Sequence, residues 1–508
     1  MTTPPNQIYF LSATIGIAVI AVISQSYLDL PLWIDELHTS WTILADFDLL
    51  TERANAGNQS PLYFFLLKLV VSLTGQSEIS LRIFSVSCAC GSVITLNWLC
   101  HRHQLNLFAT LLTTISFAAG HIQLLFAVEA RSYSLLTLLV LILFCVSSTR
   151  WDRTYKVEYE QKRKIHWPLE TMWIVFAVLC IYTHYMAIPA IGSLLLADLL
   201  VSPAPISTRL RTLGLQGFFL GVVIGSQFDA LENIYQHRSQ WATFIPANDA
   251  TLKALIKKLP VISTLIMPGV CLITFRPQLG ARKPLIFGAL MLALIPYLTA
   301  WTTTRMDWVN WFFPRYLVSC LPGFSLFFGF SMASITQDIR PVFRPLGIGL
   351  CCLMVFILFD SKVIENYQTE QITVKNERWD VVAATLCEKA KPEDSILLAG
   401  GLVEDIRLAE IADAQHTPSI SMSEYCTFPL NGMYPLTEGL QIEPISEYRN
   451  PDLLENRIRK ASQGWLVVRG QSHNRRVQKV LVKMFGPDGF ADHRIPGKVN
   501  LYFFQMVQ

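Results

Sequence analysis

Leu32-Trp33-Ile34-Asp35-Glu36-Leu37 stands just beyond an apolar run at Ile8–Tyr27. Two adjacent carboxylates this close to a bilayer are costly and call for a reason. The run before them is long enough to span a membrane. It has no basic leader, exceeds a signal-peptide core and is followed by no convincing small-residue cleavage site, so it reads as a retained helix. Asp35 and Glu36 then fall at the water-facing end of a span, beside an interfacial Trp. An acidic centre there can meet a lipid-borne substrate.

The composition agrees with a membrane setting. Of 508 residues, 52% are hydrophobic and only 16% charged, low for a soluble protein. The net charge of +3 gives no basis for a nucleic-acid partner. Candidate spans are 8–27, 79–100, 105–126, 132–149, 169–186, 187–202, 212–228, 259–275, 284–303, 316–335 and 345–359, about eleven in all. The expected fold is therefore an α-helical polytopic membrane protein.

Pro61–Thr74 is left out of that set. It has Ser60 as a possible N-cap, Pro61 at the first position and Gly75 as a stop. About 14 residues at 1.5 Å each reach about 21 Å, short of a hydrocarbon core of about 30 Å. The segment is expected on the membrane surface or re-entrant. Charge supports this. Alternate loops then share Arg102; Arg150, Arg153, Lys156, Lys162, Arg163 and Lys164; Arg209 and Arg211; Arg276, Arg282 and Lys283; and Arg340 and Arg344, a consistent positive-inside set.

The opposite side receives the loop 29–78, the turn at Glu129-Ala130-Arg131, the loop 229–258 and the segment Arg305–Tyr316. Trp41, Leu44, Phe47 and Leu50 recur every third residue, which predicts one amphipathic surface helix capped by Thr39 or Ser40. After about Asp360 charged residues become common. Ser395–Ala399 and Gly464–Arg469 read as buried strands, and Trp379–Lys389 and Arg475–Phe485 as helices. The expected division is a transmembrane catalytic domain over 1–360 and a small α/β extracytoplasmic domain over 361–508. Cysteines such as Cys145, Cys180 and Cys271 lie in apolar runs as small packing residues. Cys387 and Cys426 lie outside those runs, and a disulfide between them has no support from spacing.

Three groups share the outer side in this topology: Asp35-Glu36, Glu129 to Tyr133, and Pro314-Arg315-Tyr316. A lipid-phosphate sugar donor needs these group types. Its phosphate leaves as a stable anion, so cations or a metal, rather than a strong acid, offset the developing charge. The acceptor hydroxyl needs a base, which suits Asp35. Glu36 and Glu129 can support it, and Arg131 and Arg315 are phosphate candidates. Each group also has a structural reading. Asp-Glu pairs serve as helix caps, Glu129 and Arg131 can form an interfacial ion pair, and Arg315 and Tyr316 can anchor a span at the headgroups. His184 at an outer helix end and Trp308 and Trp311 in an aromatic belt have similar structural readings. Lys68 can snorkel or reach a phosphate.

In order, the chain shows the Asp-Glu loop, Ser60-Pro61-Leu62-Tyr63 opening a short apolar helix, Glu78 to Arg82, Glu129 to Tyr133, Thr183-His184-Tyr185 and Pro314 to Leu317. This ordered set resembles the bacterial branch of the dolichyl-phosphate-mannose-protein mannosyltransferase superfamily, glycosyltransferase family 39-like, with a GT-C fold. The likeness covers most of residues 8–335, and its specificity lies in the order rather than in any one motif. It implies a polyprenyl-phosphate sugar donor and inverting transfer at the outer face of a bacterial inner membrane. Asp35 matches the family's catalytic aspartate, Glu36 its partner, and Glu129 a second acidic position. Arg131, Tyr133, Arg315, Tyr316, Lys68 and His184 are the expected substrate-binding set. One departure is Gln59-Ser60, where some lipid-modifying relatives carry a Lys before the proline. The acceptor, whether lipid, glycan or protein, and a requirement for a divalent cation are both left open.

Two other function classes deserve weight. A transporter or flippase of lipid-linked sugars usually places such charges near mid-membrane and often shows internal repeats. Here the carboxylates lie at span ends and no repeat is visible. A non-catalytic scaffold would bind donor without turnover.

Overall fold

The computed structural model describes residues 6–156, 167–236, 262–275, 279–338, 375–408 and 420–506, without 203 and 310, and with three isolated positions between 237 and 261. The expected span 345–359, the basic segment 157–166 and the expected boundary at 360–361 lie outside the described residues. The chain divides into two compact units, one built from 1–28 and 82–373, the other from 29–81 and 374–508. The first outer loop therefore groups with the C-terminal segment.

The first unit is helical. Its helices are Gln7–Gln25, Glu78–Arg102 (from Arg82 onward), Leu107–Ala118, His121–Ala127, Tyr133–Lys156, Trp167–Thr183, Ala187–Val201, Ile206–Ser226, Phe228–Gln236, Met267–Phe275, Lys283–Arg305 and Leu321–Asp338. Among the described residues, five helices are long and apolar enough to cross a bilayer, or up to seven if each of two bent pairs is one span. The expected span 105–126 is one of those pairs, and it is not a straight rod. Leu107–Ala118 and His121–Ala127 meet at 57°. Ala119-Gly120 breaks the helix, with Gly120 extended at the start of the second piece.

Packing in this unit follows rules for apolar surroundings, where close backbone approach and polar pairing replace hydrophobic drive. Gly323 lies directly against the backbone of helix Lys283–Arg305. A Cβ added there would fall 2.4 Å from Ala293 N and 2.9 Å from Ala289 O. One charged network lies inside apolar helices. Arg150 binds Glu170 at 2.9 Å and Asp198 at 2.5 Å, Trp151 donates to Asp198, and Gln216 donates to Glu170 at 2.9 Å. Buried charges in such a setting must be paired, and these residues tie four helices together.

The second unit contains helices α2 (Ile34–Leu44), α3 (Phe47–Ala56) and α4 (Leu62–Thr74), numbered after α1 (Gln7–Gln25). The single amphipathic helix expected around Trp41–Leu50 is two helices. The first begins at Ile34, so Thr39 and Ser40 are interior residues rather than caps, and the chain breaks at Ala45-Asp46. Helix α4 runs as expected and ends at Gly75, whose φ of +83° favours glycine.

A five-stranded mixed sheet completes this unit. Its strands are β1 (Ser395–Ala399), β2 (Ile442–Pro444), β3 (Gln463–Arg469), β4 (Phe490–His493) and β5 (Val499–Gln505), in the order β2-β1-β3-β5-β4. β1 is parallel to β2 and β3, whereas β5 is antiparallel to β3 and β4. Leu397, Ala399, Leu466, Val468, Tyr502 and Phe504 form a core with Leu454, Ile458, Val477 and Leu481 from helices Pro451–Ala461 and Gln471–Phe485. Ile396, Leu398, Val467 and Leu501, facing the other way, are buried too. Burial on both faces explains why β1 and β3 read as unbroken apolar runs. Cys387 and Cys426 are not joined by a disulfide.

Candidate functional site

The first unit gathers six of the expected residues into one chain of contacts. Glu129-Ala130-Arg131 forms the turn between helices His121–Ala127 and Tyr133–Lys156, and both charged side chains are buried. Arg131 N donates to Glu129 O at 2.8 Å, which closes the turn. The Arg131 guanidinium lies 5.6 Å from the Tyr133 ring and reaches its hydroxyl at 3.4 Å. The Tyr133 ring is 5.6 Å from that of His184, which is 5.9 Å from that of Tyr316. Arg315 lies 5.0 Å over Tyr316 and 5.5 Å over Phe313. Arg315 and Tyr316 enter through the 3-10 turn Pro314–Cys320, with Phe313 at its N-cap, where proline opens the turn with a preset φ. The result is two guanidiniums flanking a row of mutually tilted rings, Tyr133, His184 and Tyr316.

His184 sits in the turn between helices Trp167–Thr183 and Ala187–Val201, where its Nδ1 accepts from Met186 N at 3.1 Å. That bond assigns the other ring nitrogen as the donor. The ring lies between two guanidiniums in a cationic cluster. Arg82, in the same ordered set of motifs, is occupied elsewhere. It donates to the carbonyl oxygens of Tyr27 and Leu28 at 3.0 and 3.1 Å and so holds the turn that follows α1.

The second unit holds Asp35, Glu36 and Lys68. The acidic pair lies in the first turn of α2 rather than in a loop. Carboxylates are favoured there by the helix dipole and the unpaired N–H groups. Glu36 is buried, and its Oε2 lies 3.5 Å from Trp33 N, while Asp35 is half-buried. Two partners missed from the sequence hold this helix start. Glu377 Oε2 accepts from Ile34 N at 3.0 Å, and Tyr434 Oη accepts from Leu32 N at 3.0 Å. Lys68 donates to the carbonyl oxygens of Ile43 and Ala45 at the far end of α2, at 3.0 and 2.5 Å. Trp308 is exposed, as a belt residue would be, while Trp311 donates through its indole to Thr303.

Among the described residues, no group of three His, Cys, Asp or Glu side chains is arranged to hold a metal ion. No protein-family model and no curated protein sequence matches the chain. The fold, however, is shared with solved structures. The apo crystal structure of ArnT from Cupriavidus metallidurans aligns over 97% of this chain and 99% of its own, with a TM-score of 0.58 at 12% identity. ArnT bound to undecaprenyl phosphate aligns over the same shares, with a TM-score of 0.54 at 10% identity. The chain is a multi-pass membrane protein. Its fold is GT-C, the fold expected from the ordered motifs.

Proposed function

We propose that this protein is a membrane glycosyltransferase that moves a sugar from a polyprenyl-phosphate donor to an acceptor hydroxyl, with inversion, at the outer face of the membrane. The observation that carries the reading is the partly buried cluster of Arg131 and Arg315 around Tyr133, His184 and Tyr316. A lipid-linked phosphate needs charge-assisted donors, and the sugar next to it needs flat apolar faces. The GT-C fold supports the same reading, as does the undecaprenyl phosphate bound by ArnT.

The step balances simply. The acceptor oxygen attacks the anomeric carbon from the face opposite the phosphate as its proton passes to the Asp35 carboxylate. The bond from that carbon to the phosphate oxygen breaks, and polyprenyl phosphate leaves as an anion held by Arg131 and Arg315. No proton is needed on the leaving group, so the site requires one base and cationic clamps. Glu36 orients the acceptor beside Asp35, and Glu129 orients Arg131. The acceptor is a lipid, glycan or protein hydroxyl.

The test is transfer from undecaprenyl phosphate carrying a labelled hexose or pentose, with membranes of a deletion strain as acceptor. Wild-type protein is expected to turn over at least one of these donors, and Asp35→Asn to lose about 10²–10⁴-fold in kcat while remaining folded. Near-wild-type transfer by Asp35→Asn would remove the base assignment. Donor binding without turnover by the wild type would favour the scaffold reading.

A further inference from the structure

The helix that bears Asp35 and Glu36 takes no side-chain cap from its N-cap residue, and Glu36 Oε2 reaches back to Trp33 N only at a long 3.5 Å. Its N-cap residue is Trp33, which has no oxygen to accept from the first-turn N–H groups. An Asn, Asp, Ser or Thr at that position would do so cheaply. The N–H of Ile34, the first helical residue, goes instead to a carboxylate 343 residues away.

That carboxylate is itself held in place. Glu377 is buried, its Oε2 also accepts from Trp379 Nε1 at 3.0 Å, and its Oε1 pairs with Arg469 Nε at 2.9 Å. Arg469 closes strand β3 of the mixed sheet. On the other side of Trp33, Tyr434 Oη accepts from Leu32 N and donates to Glu78 Oε1 at 2.9 Å. The backbone on both sides of Trp33 is therefore clamped by the C-terminal segment. A buried ion pair is a poor way to gain stability, because desolvation offsets most of the attraction. Its use where a local cap would suffice points to a role in charge and position.

We infer that Glu377 and Arg469 are positioning residues for the Asp35-Glu36 pair, with Tyr434 as a neutral third anchor. The inference rests on the proposed role of Asp35 as base. Glu377 brings a negative charge to the peptide next to Asp35, and Arg469 brings the opposing positive charge. The pair fixes where the helix starts and holds the field at Asp35 close to neutral. The small α/β part of the chain thereby acts on the reaction without touching substrate.

The charges make opposite predictions. Glu377→Gln removes a negative neighbour, so the carboxylate at Asp35 ionises more easily and the acid limb of kcat against pH moves down. Arg469→Gln leaves Glu377 uncompensated, so the limb moves up. Shifts of about half a unit to one unit are expected when one charge is removed near a half-buried carboxylate. Tyr434→Phe changes no charge. It should lower kcat about tenfold with the midpoint fixed and the donor KM within about twofold.

The experiment measures these profiles on full-length protein in detergent, with the undecaprenyl-phosphate sugar that the wild type turns over. Loss of structure alone cannot move two midpoints in opposite directions. Unshifted midpoints, or shifts of the same sign, overturn the inference while an inactive Asp35→Asn leaves the reaction reading intact. An active Asp35→Asn overturns the reaction reading instead. If one charge variant does not fold, the sign of the other decides. If neither folds, an unchanged kcat in Tyr434→Phe overturns the clamp.

Discussion

Lys68 donates to the carbonyl oxygen of Ala45 at 2.5 Å and to that of Ile43 at 3.0 Å, and so closes the C-terminal end of helix α2. The last carbonyls of a helix carry its negative pole and lack intrahelical partners. A half-buried ammonium is a good partner for them, and its nitrogen also lies over Phe47, 5.1 Å from the ring centroid. Lys68→Met should therefore cost about 1–3 kcal/mol of stability, the range for hydrogen bonds to a charged group. The check is thermal unfolding alongside the donor KM. A lower melting temperature with KM within about threefold fits helix closure. A raised KM with unchanged melting would return Lys68 to phosphate binding.

Arg131 and Arg315 flank the tilted rings of Tyr133, His184 and Tyr316 from opposite ends of one contact chain. If both hold the donor phosphate, Arg131→Gln and Arg315→Gln should each raise the donor KM by about 10–100-fold, the loss of one charge-assisted contact. Inhibition by undecaprenyl phosphate should weaken in parallel, because product and donor share the phosphate. The double variant should be less than additive, since both arginines act on one group. Unchanged inhibition by undecaprenyl phosphate in both variants would show that the cluster serves packing alone.

Legibility in the sequence followed the range of the forces involved. The apolar helices and the two central strands were readable because burial imprints a local pattern on each. Proline and glycine also fixed the helix at Leu62–Thr74. The two-helix form of 34–56 was hidden because Trp41, Leu44, Phe47 and Leu50 keep one spacing across the break at Ala45-Asp46. Members of the candidate site were visible as residue types at helix ends. Their neighbours were not. Glu377 reaches Ile34 across 343 residues, and Tyr434 reaches Leu32 across 402. Glu170 and Asp198 sat inside apolar runs with nothing local to show that Arg150 would pair with both. Such contacts depend on tertiary placement, which no periodicity records.

Gly323 packs against the backbone of helix Lys283–Arg305 so closely that a Cβ would lie 2.4 Å from Ala293 N. Backbone atoms cannot swing aside as a side chain can. Gly323→Ala should force the two helices apart and cost about 1–3 kcal/mol, the usual cost of overpacking. Gly221 in helix Ile206–Ser226 is the control, since an added Cβ there meets nothing within 4 Å. Gly221→Ala should be neutral or stabilising by up to about 1 kcal/mol through helix propensity. Thermal unfolding of both variants in one detergent makes the comparison. Equal melting temperatures would mean that the crossing is looser than the packing at Gly323 indicates.

Asp405 offers a stability signal in pH. Its carboxylate is buried, and its Oδ2 accepts from Tyr448 Oη at 2.6 Å and from Leu402 N at 3.0 Å. Burial raises its pKa from the usual carboxylate range to about 6, with the Tyr448 hydroxyl, the Leu402 N–H and the charge of Arg449 pulling the other way. The folded state thus holds this proton more tightly than the unfolded chain, whose carboxyl titrates near 4. The group's contribution is fully present below about pH 4 and is lost as pH rises to about 6. Above that window the ionised form costs on the order of 2–3 kcal/mol. Asp405→Asn keeps an oxygen for Tyr448 and Leu402 but cannot ionise. Its melting temperature should match the wild type near pH 4 and exceed it near pH 7, with the gap opening between those values. Parallel melting curves across that range would show that Asp405 stays within the usual carboxylate range.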